Sequence, residues 1–134
     1  EEPHLSRRGE RVSALTSALL VALGGAFGAL LRSGADALTA RLGIVAPIGT
    51  LVVNVCGSFA AGLVVTLIAN RLLPDAARPL ILVGLLGGFT TFSAFTMEGI
   101  GLLKENKTTL FLIYVIASVA GGLLATLIGI RIAK

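Results

Sequence analysis

The run "GGFTTFSAF", residues 87–95, lies inside an otherwise apolar stretch from Leu80 to Leu103 that is long enough to cross a bilayer. Two adjacent glycines are poor helix formers and Thr90–Thr91 is a β-branched pair, so this span is expected to unwind at mid-membrane and restart near Thr91. Carbonyls freed at that depth need a partner, and a buried Na⁺ satisfies them without any acidic side chain. Beyond the break, Phe92 and Phe95 are i, i+3 neighbours on one helix face, with ring edges that carry partial positive charge. Upstream, Thr50, Asn54 and Ser58 recur at i, i+4, i+8, and downstream Tyr114 and Ser118 do the same, continued by Gly122. The amide of Asn54 and the hydroxyls supply hydrogen-bond donors. Donors and ring edges around a place with no fixed cation suit a small anion that must bind and then leave.

Two charged residues flank this set. Glu98 falls seven residues after Thr91, about 10 Å along a helix, between the bilayer centre and its surface. It is either a packing carboxylate or a group that meets an anion by hydrogen bonding in its protonated form. Arg32 ends the first apolar run. It is either an interface anchor or a source of positive potential that raises anion concentration at a pore mouth. The lone Cys56 reads as a small packing residue and His4 as part of a polar tail. No nucleophile–base pair or metal-ligand cluster is evident, so an enzyme is not expected.

These residues need elements that hold them in lipid. Of 134 residues, 55% are hydrophobic and 13% charged, against roughly a quarter charged in soluble domains. Four segments reach the about 20 apolar residues that a hydrocarbon core requires: Ser13–Arg32, Ala46–Ala69, Pro79–Leu103 and Thr108–Ile130. The expected fold is an all-α membrane protein, with a polar tail at 1–12 and one four-helix transmembrane domain at 13–134. The connections, near Ser33–Val45, Arg71–Arg78 and Lys104–Lys107, are short. The first segment lacks a small-residue cleavage site after Arg32 and is read as a permanent helix. Small-x-x-x-small patterns at Gly24 and Gly28, at Gly57 and Ala61, and at Gly121 and Ala125 point to close helix crossings.

One side of the membrane holds Arg7, Arg8, Arg11, Arg71, Arg78, Arg131 and Lys134, and the other Arg32, Arg41, Lys104 and Lys107; without the tail the balance is four against four. So even a balance sets no firm orientation, and two copies inserted head to tail would build an inverted repeat. The basic residues are scattered at membrane edges without aromatic interleaving, which speaks against nucleic acid as a partner.

With "GGAFGALLR" at 24–32, "GTLVVNVCGSFAAG" at 49–62 and "GGFTTFSAF", the chain resembles the CrcB/Fluc fluoride channels over nearly its whole length. The resemblance implies a fluoride-selective passive channel that exports the ion across the cell inner (plasma) membrane and relieves its toxicity. It also implies an antiparallel, dual-topology homodimer with two pores and a structural Na⁺ at its centre. The carbonyls of Gly87 and Thr90 would hold that Na⁺. Phe92 and Phe95 would be the pore phenylalanines, Asn54 the pore amide and Arg32 the vestibule base. Ser93, Thr50, Glu98, Tyr114 and Ser118 would fall along the polar track. The chain departs from the usual pattern at Ala94 and Gly122, which stand where hydroxyls occur in some relatives. A small proton-coupled multidrug-type transporter would need a deep carboxylate, and the first, second and fourth segments hold no Asp or Glu. A structural scaffold would leave the break without a purpose.

Overall fold

The computed structural model describes residues 13–134 and is all-helical in its regular structure. The tail at 1–12, with His4 and three of the counted arginines, lies outside the described residues. Helix α1 (Ala14–Arg41) starts where Ser13 caps it, its Oγ accepting the Thr16 N–H at 3.1 Å. It then continues nine residues past Arg32, where a loop is expected from the sequence. The physical reason is that lipid-crossing length and helix length are different quantities. Apolarity ends at Arg32, but Ala35, Ala37, Leu38 and Ala40 keep helix propensity high. Twenty-eight residues make about 42 Å of helix, well beyond the about 30 Å hydrocarbon core. The connection that remains is a tight αL stop. Gly43 takes φ +69°, and the Gly43 and Ile44 N–H groups reach back to the Ala40 and Thr39 carbonyls.

Helix α2 (Ala46–Ala69) matches the expected second span and has a proline in its first turn. The third span is built from three pieces: Arg78–Leu86, wound with i→i+5 bonds, then α3 (Gly87–Phe89), then α4 (Phe92–Lys104). Helix α5 (Thr108–Ile132) forms the fourth and runs two residues past the expected Ile130. The turns before Arg78 and before Thr108 use the same stop as Gly43, with Arg71 and Asn106 at positive φ.

The first span packs mainly on the leading half of the third, and the second mainly on the fourth. Glycines set both crossings. A Cβ at Gly24 would land on the Leu80 carbonyl, one at Gly84 would stand 2.8 Å from Val21 O, and one at Gly88 2.6 Å from Gly25 O. Across the other crossing, Gly62 meets the Thr126 backbone and Gly129 meets that of Phe59. Among the described residues four helices are long and apolar enough to cross a membrane, yet only 6–33% of each apolar window is buried inside the chain. One copy therefore has little interior of its own; lipid or other protein must cover most of its apolar surface.

Candidate ion pathway

Thr90 and Thr91 are extended, at φ −81°, ψ 157° and φ −147°, ψ 124°. The glycines ahead of them are not. Gly87 is helical at φ −64°, ψ −36°, so the departure from helix falls at Thr90 and Thr91, beside the expected restart near Thr91. Gly88 is needed for approach to the first span, because any side chain would strike Gly25. The chain leaves the helix instead at the β-branched pair, where extended backbone costs least.

What holds the two extended residues is Asn54. Its Nδ2 donates to Thr91 O at 2.9 Å and its Oδ1 accepts the Thr91 N–H at 2.8 Å. Thr91 then caps α4, its Oγ1 accepting from Ala94 N at 3.2 Å and lying 3.3 Å from Ser93 Oγ. Two consequences follow from helix geometry. The Thr91 N–H that would close a turn onto Gly87 goes to Asn54, and the Ala94 N–H that would reach Thr90 goes to the Thr91 side chain. The carbonyls of Gly87 and Thr90 are left without those helical donors. Thr90 directs its own hydroxyl backwards to Leu86 O at 2.8 Å. Asn54 thus grips the Thr91 backbone, and the second N–H of Nδ2 is left over.

Arg32 also reaches the third span. It lies nine residues inside the end of α1 and donates from Nε to Gly88 O at 3.2 Å, so it stands beside Gly88, two residues ahead of the extended pair. Removing it from the edge count leaves Arg41, Lys104 and Lys107 against Arg71, Arg78, Arg131 and Lys134, three against four.

Past the break the expected residues come together. The Phe92 and Phe95 rings lie 5.5 Å apart and tilted by 41°, and Phe95 lies 5.2 Å from the Tyr114 ring. Phe92 is 76% exposed, so within one copy nothing covers most of its ring. Glu98 is held from both neighbours: Thr50 Oγ1 donates to Oε1 at 2.8 Å and Tyr114 OH donates to Oε2 at 2.6 Å. These two bonds join the second, third and fourth spans through one carboxyl group. Ser118 Oγ is buried without a hydrogen-bond partner among the described residues. A buried hydroxyl left over in this way is a donor for something else. A cavity of about 350 Å³ runs beside the break, walled by Asn54, Ser58, Gly87, Thr90 and Phe92. A second, of about 390 Å³, reaches Thr50, Ala94 and Glu98 from the Asp36–Thr39 end of α1. Gly122 faces Ser58, whose Oγ would lie 3.4 Å from an added Cβ.

Residues 19–130 match the family model described as "CrcB-like protein, Camphor Resistance (CrcB)". The chain belongs to the CrcB family. Among CrcB-family relatives, the "Fluoride-specific ion channel FluC" of Chloroflexus aurantiacus is 41% identical over 122 residues, 90% of this chain and 97% of that protein. The protein of the same name from a Chelativorans species is 45% identical over 118 residues, 87% of this chain and 94% of that one. That from Thermus thermophilus is 44% identical over 115 residues, 85% and 92%. With four helices of spanning length, this CrcB-family chain is a multi-pass integral membrane protein.

Sequence reading places the restart near Thr91 but passes over what Thr91 bonds, and it passes over the carbonyl of Gly88. Thr91 supplies both the N-cap of α4 and the backbone edge that Asn54 grips, and Gly88 supplies the carbonyl for Arg32. A threonine three residues ahead of an alanine in a resuming helix is a capping signal that could have found the first.

Proposed function

We propose that the chain is a fluoride-selective passive channel of the cell inner membrane, exporting fluoride. It is a channel and not an enzyme. The observation that carries the reading is the pairing of a helix break with the row Phe92, Phe95, Tyr114 and Ser118. Edge-positive rings and an uncommitted buried hydroxyl stand there with no basic side chain among them. The names of the relatives supply the ion. Fluoride is small and holds its water strongly, so a path for it must replace that water with matched donors, and Ser118, Ser93 and the spare N–H of Asn54 are the donors available. Thr50 and Tyr114 act at one remove, because their protons are directed at Glu98. They hold the carboxyl group against the second and fourth spans and keep it off the ring face. Arg32 brings the positive charge nearest the break.

The third span breaks at mid-membrane in this reading, and the break is shared. The carbonyls of Gly87 and Thr90, left without their helical donors beside the extended pair Thr90–Thr91, fit a Na⁺, which they would hold. When bound, such an ion offsets carbonyl dipoles that lipid cannot solvate. Gly87 has open space on its Cβ side and one chain offers too few oxygens, so a second copy completes the set. The near-even charge of three against four favours an antiparallel partner. That partner would also cover Phe92.

The test is the purified chain alone in liposomes loaded with fluoride or chloride and followed by ion-selective electrodes. Fluoride leaves and chloride stays. Equal rates for the two ions would overturn the assignment.

A further inference from the structure

We propose that a phospholipid with a primary ammonium headgroup binds where the second and fourth spans begin, one acyl chain inserted between them and its headgroup on Glu105 and Lys107. A cleft of about 270 Å³ lies there, walled by Val45, Pro47, Leu51, Leu102, Leu110 and Ala117. Leu110 at 52% and Val45 at 61% exposure open it toward the surrounding lipid. A void lined this way does not hold water, so in a bilayer an apolar chain fills it. The cleft continues, through Val45, Pro47, Leu102 and Leu110, into a cavity of about 460 Å³ whose wall also includes Glu105 and Lys107.

The occupant is read from that gradient. One end is wholly apolar, and the other carries Glu98, Glu105 and Lys107; Glu98 is already held by Thr50 and Tyr114, which leaves one carboxylate and one ammonium for a headgroup at the level where the first and third spans end. Lys107 Nζ and Glu105 Oε2 pair with each other at 2.6 Å, with both side chains more than half exposed. An exposed pair is weakly held and exchanges readily. A headgroup phosphate accepts from Lys107 while its ammonium donates to Glu105, which keeps both charges matched. Neither a fatty acid nor an anionic lipid satisfies both.

The site matters to the polar row because Tyr114 forms part of the cleft wall. An acyl chain there backs the ring whose hydroxyl holds Glu98. The proposal rests only on the bilayer placement of the chain and not on which ion it conducts.

The experiment is native mass spectrometry of the full chain, delipidated and titrated separately with phosphatidylethanolamine and phosphatidylglycerol. One phosphatidylethanolamine per chain is expected to persist, with phosphatidylglycerol about tenfold weaker. Ala117→Phe, which fills the cleft, and Lys107→Gln, at an exposed side chain outside the spans, should each weaken phosphatidylethanolamine by about tenfold. Equal binding of the two lipids, undiminished binding by either variant, or cleft residues protected by a second copy with no lipid retained would each overturn it. No flux is read, so failure here leaves the channel assignment standing on its own test.

Discussion

The two halves of the third span are held by opposite means. Arg78–Phe89 is locked by backbone contact, with Gly84 and Gly88 pressed on the first span and Gly24 and Gly28 pressed back. Phe92–Lys104 has no glycine pressed on another backbone; a Cβ added at Gly99 would stand 3.2 Å from the Phe111 ring, a side chain. Side chains secure it: Asn54 at its start, Thr50 and Tyr114 on Glu98, and ring contacts between. Close steric contact cannot be partly undone, whereas a hydrogen bond or a ring contact can be exchanged for another partner. The leading half is therefore built as a post, and the trailing half is the surface that the proposed pathway would use. The difference also separates the expected consequences of mutation, since the post governs whether the protein folds and the surface, in the proposed pathway, what passes along it.

The largest effect should come from the post. Gly28→Val places a Cβ on the Leu85 carbonyl and 2.8 Å from Phe89 N. Neither backbone group can move aside. Overpacking of this kind costs about 1–3 kcal/mol or more, so the variant should be extracted as aggregate, with its melting transition lowered or lost. Gly101→Ala, where an added Cβ meets nothing within 4 Å, is the matched control and should be neutral or slightly stabilising. A well-folded Gly28→Val protein, seen as a monodisperse size-exclusion peak with unchanged melting, would break the comparison at its first term.

Asn54→Leu is expected to be intermediate. It keeps the volume near the break but strips Thr91 of both partners, and a buried polar group so abandoned costs about 1–3 kcal/mol. Thermal unfolding should fall by several degrees while the helices still form. Fluoride efflux should fall with it, because the loosened Thr91 no longer aims Phe92. Asn54→Asp sharpens the point by keeping an acceptor for the Thr91 N–H at 2.8 Å while setting a second acceptor against the Thr91 carbonyl at 2.9 Å. It should rank between wild type and Leu in unfolding temperature. Equal melting for all three proteins would mean that the break stands without Asn54.

Much of this was legible in the sequence, and the exceptions have common causes. The span Ala46–Ala69 was read to the residue because its apolar run and its helix end together. The first span was read short because hydropathy reports lipid and not helix, and Ser33–Arg41 is helical beyond the lipid signal. Composition drew attention to residues 87–91, but it gave Gly88 no packing partner. Gly88 serves a crossing with Gly25, a partner 63 residues away that no local pattern reveals. The hydroxyl stripe on the second span was visible as a stripe, yet its bonds were not. Whether Asn54 faces an ion or a backbone depends on where Thr91 comes to rest, and Arg32 reaches Gly88 across 56 residues of chain.

The smallest effect on the fold should accompany a large one on flux, at Phe92. Its ring is 76% exposed in the chain, so Phe92→Ile removes little buried area within one copy and leaves the Asn54–Thr91 bonds untouched. Monomer stability should change by less than about 1 kcal/mol, as for other hydrophobic swaps that keep most of the volume. The isoleucine, however, has no quadrupole and presents no positive edge to an anion. If the ring edge lowers the barrier by even about 1.4 kcal/mol, its loss slows passage about tenfold. Ordinary aromatic packing makes the reverse prediction: assembly suffers, and flux per assembled protein holds. The measurement is therefore paired on one preparation, with size-exclusion profile and fluoride efflux normalised to reconstituted protein. An intact profile with efflux lowered about tenfold or more supports the trailing half as the ion's surface. An intact profile with undiminished efflux would remove Phe92 from the pathway and leave the post-and-surface distinction resting on Phe95, Tyr114 and Ser118 alone.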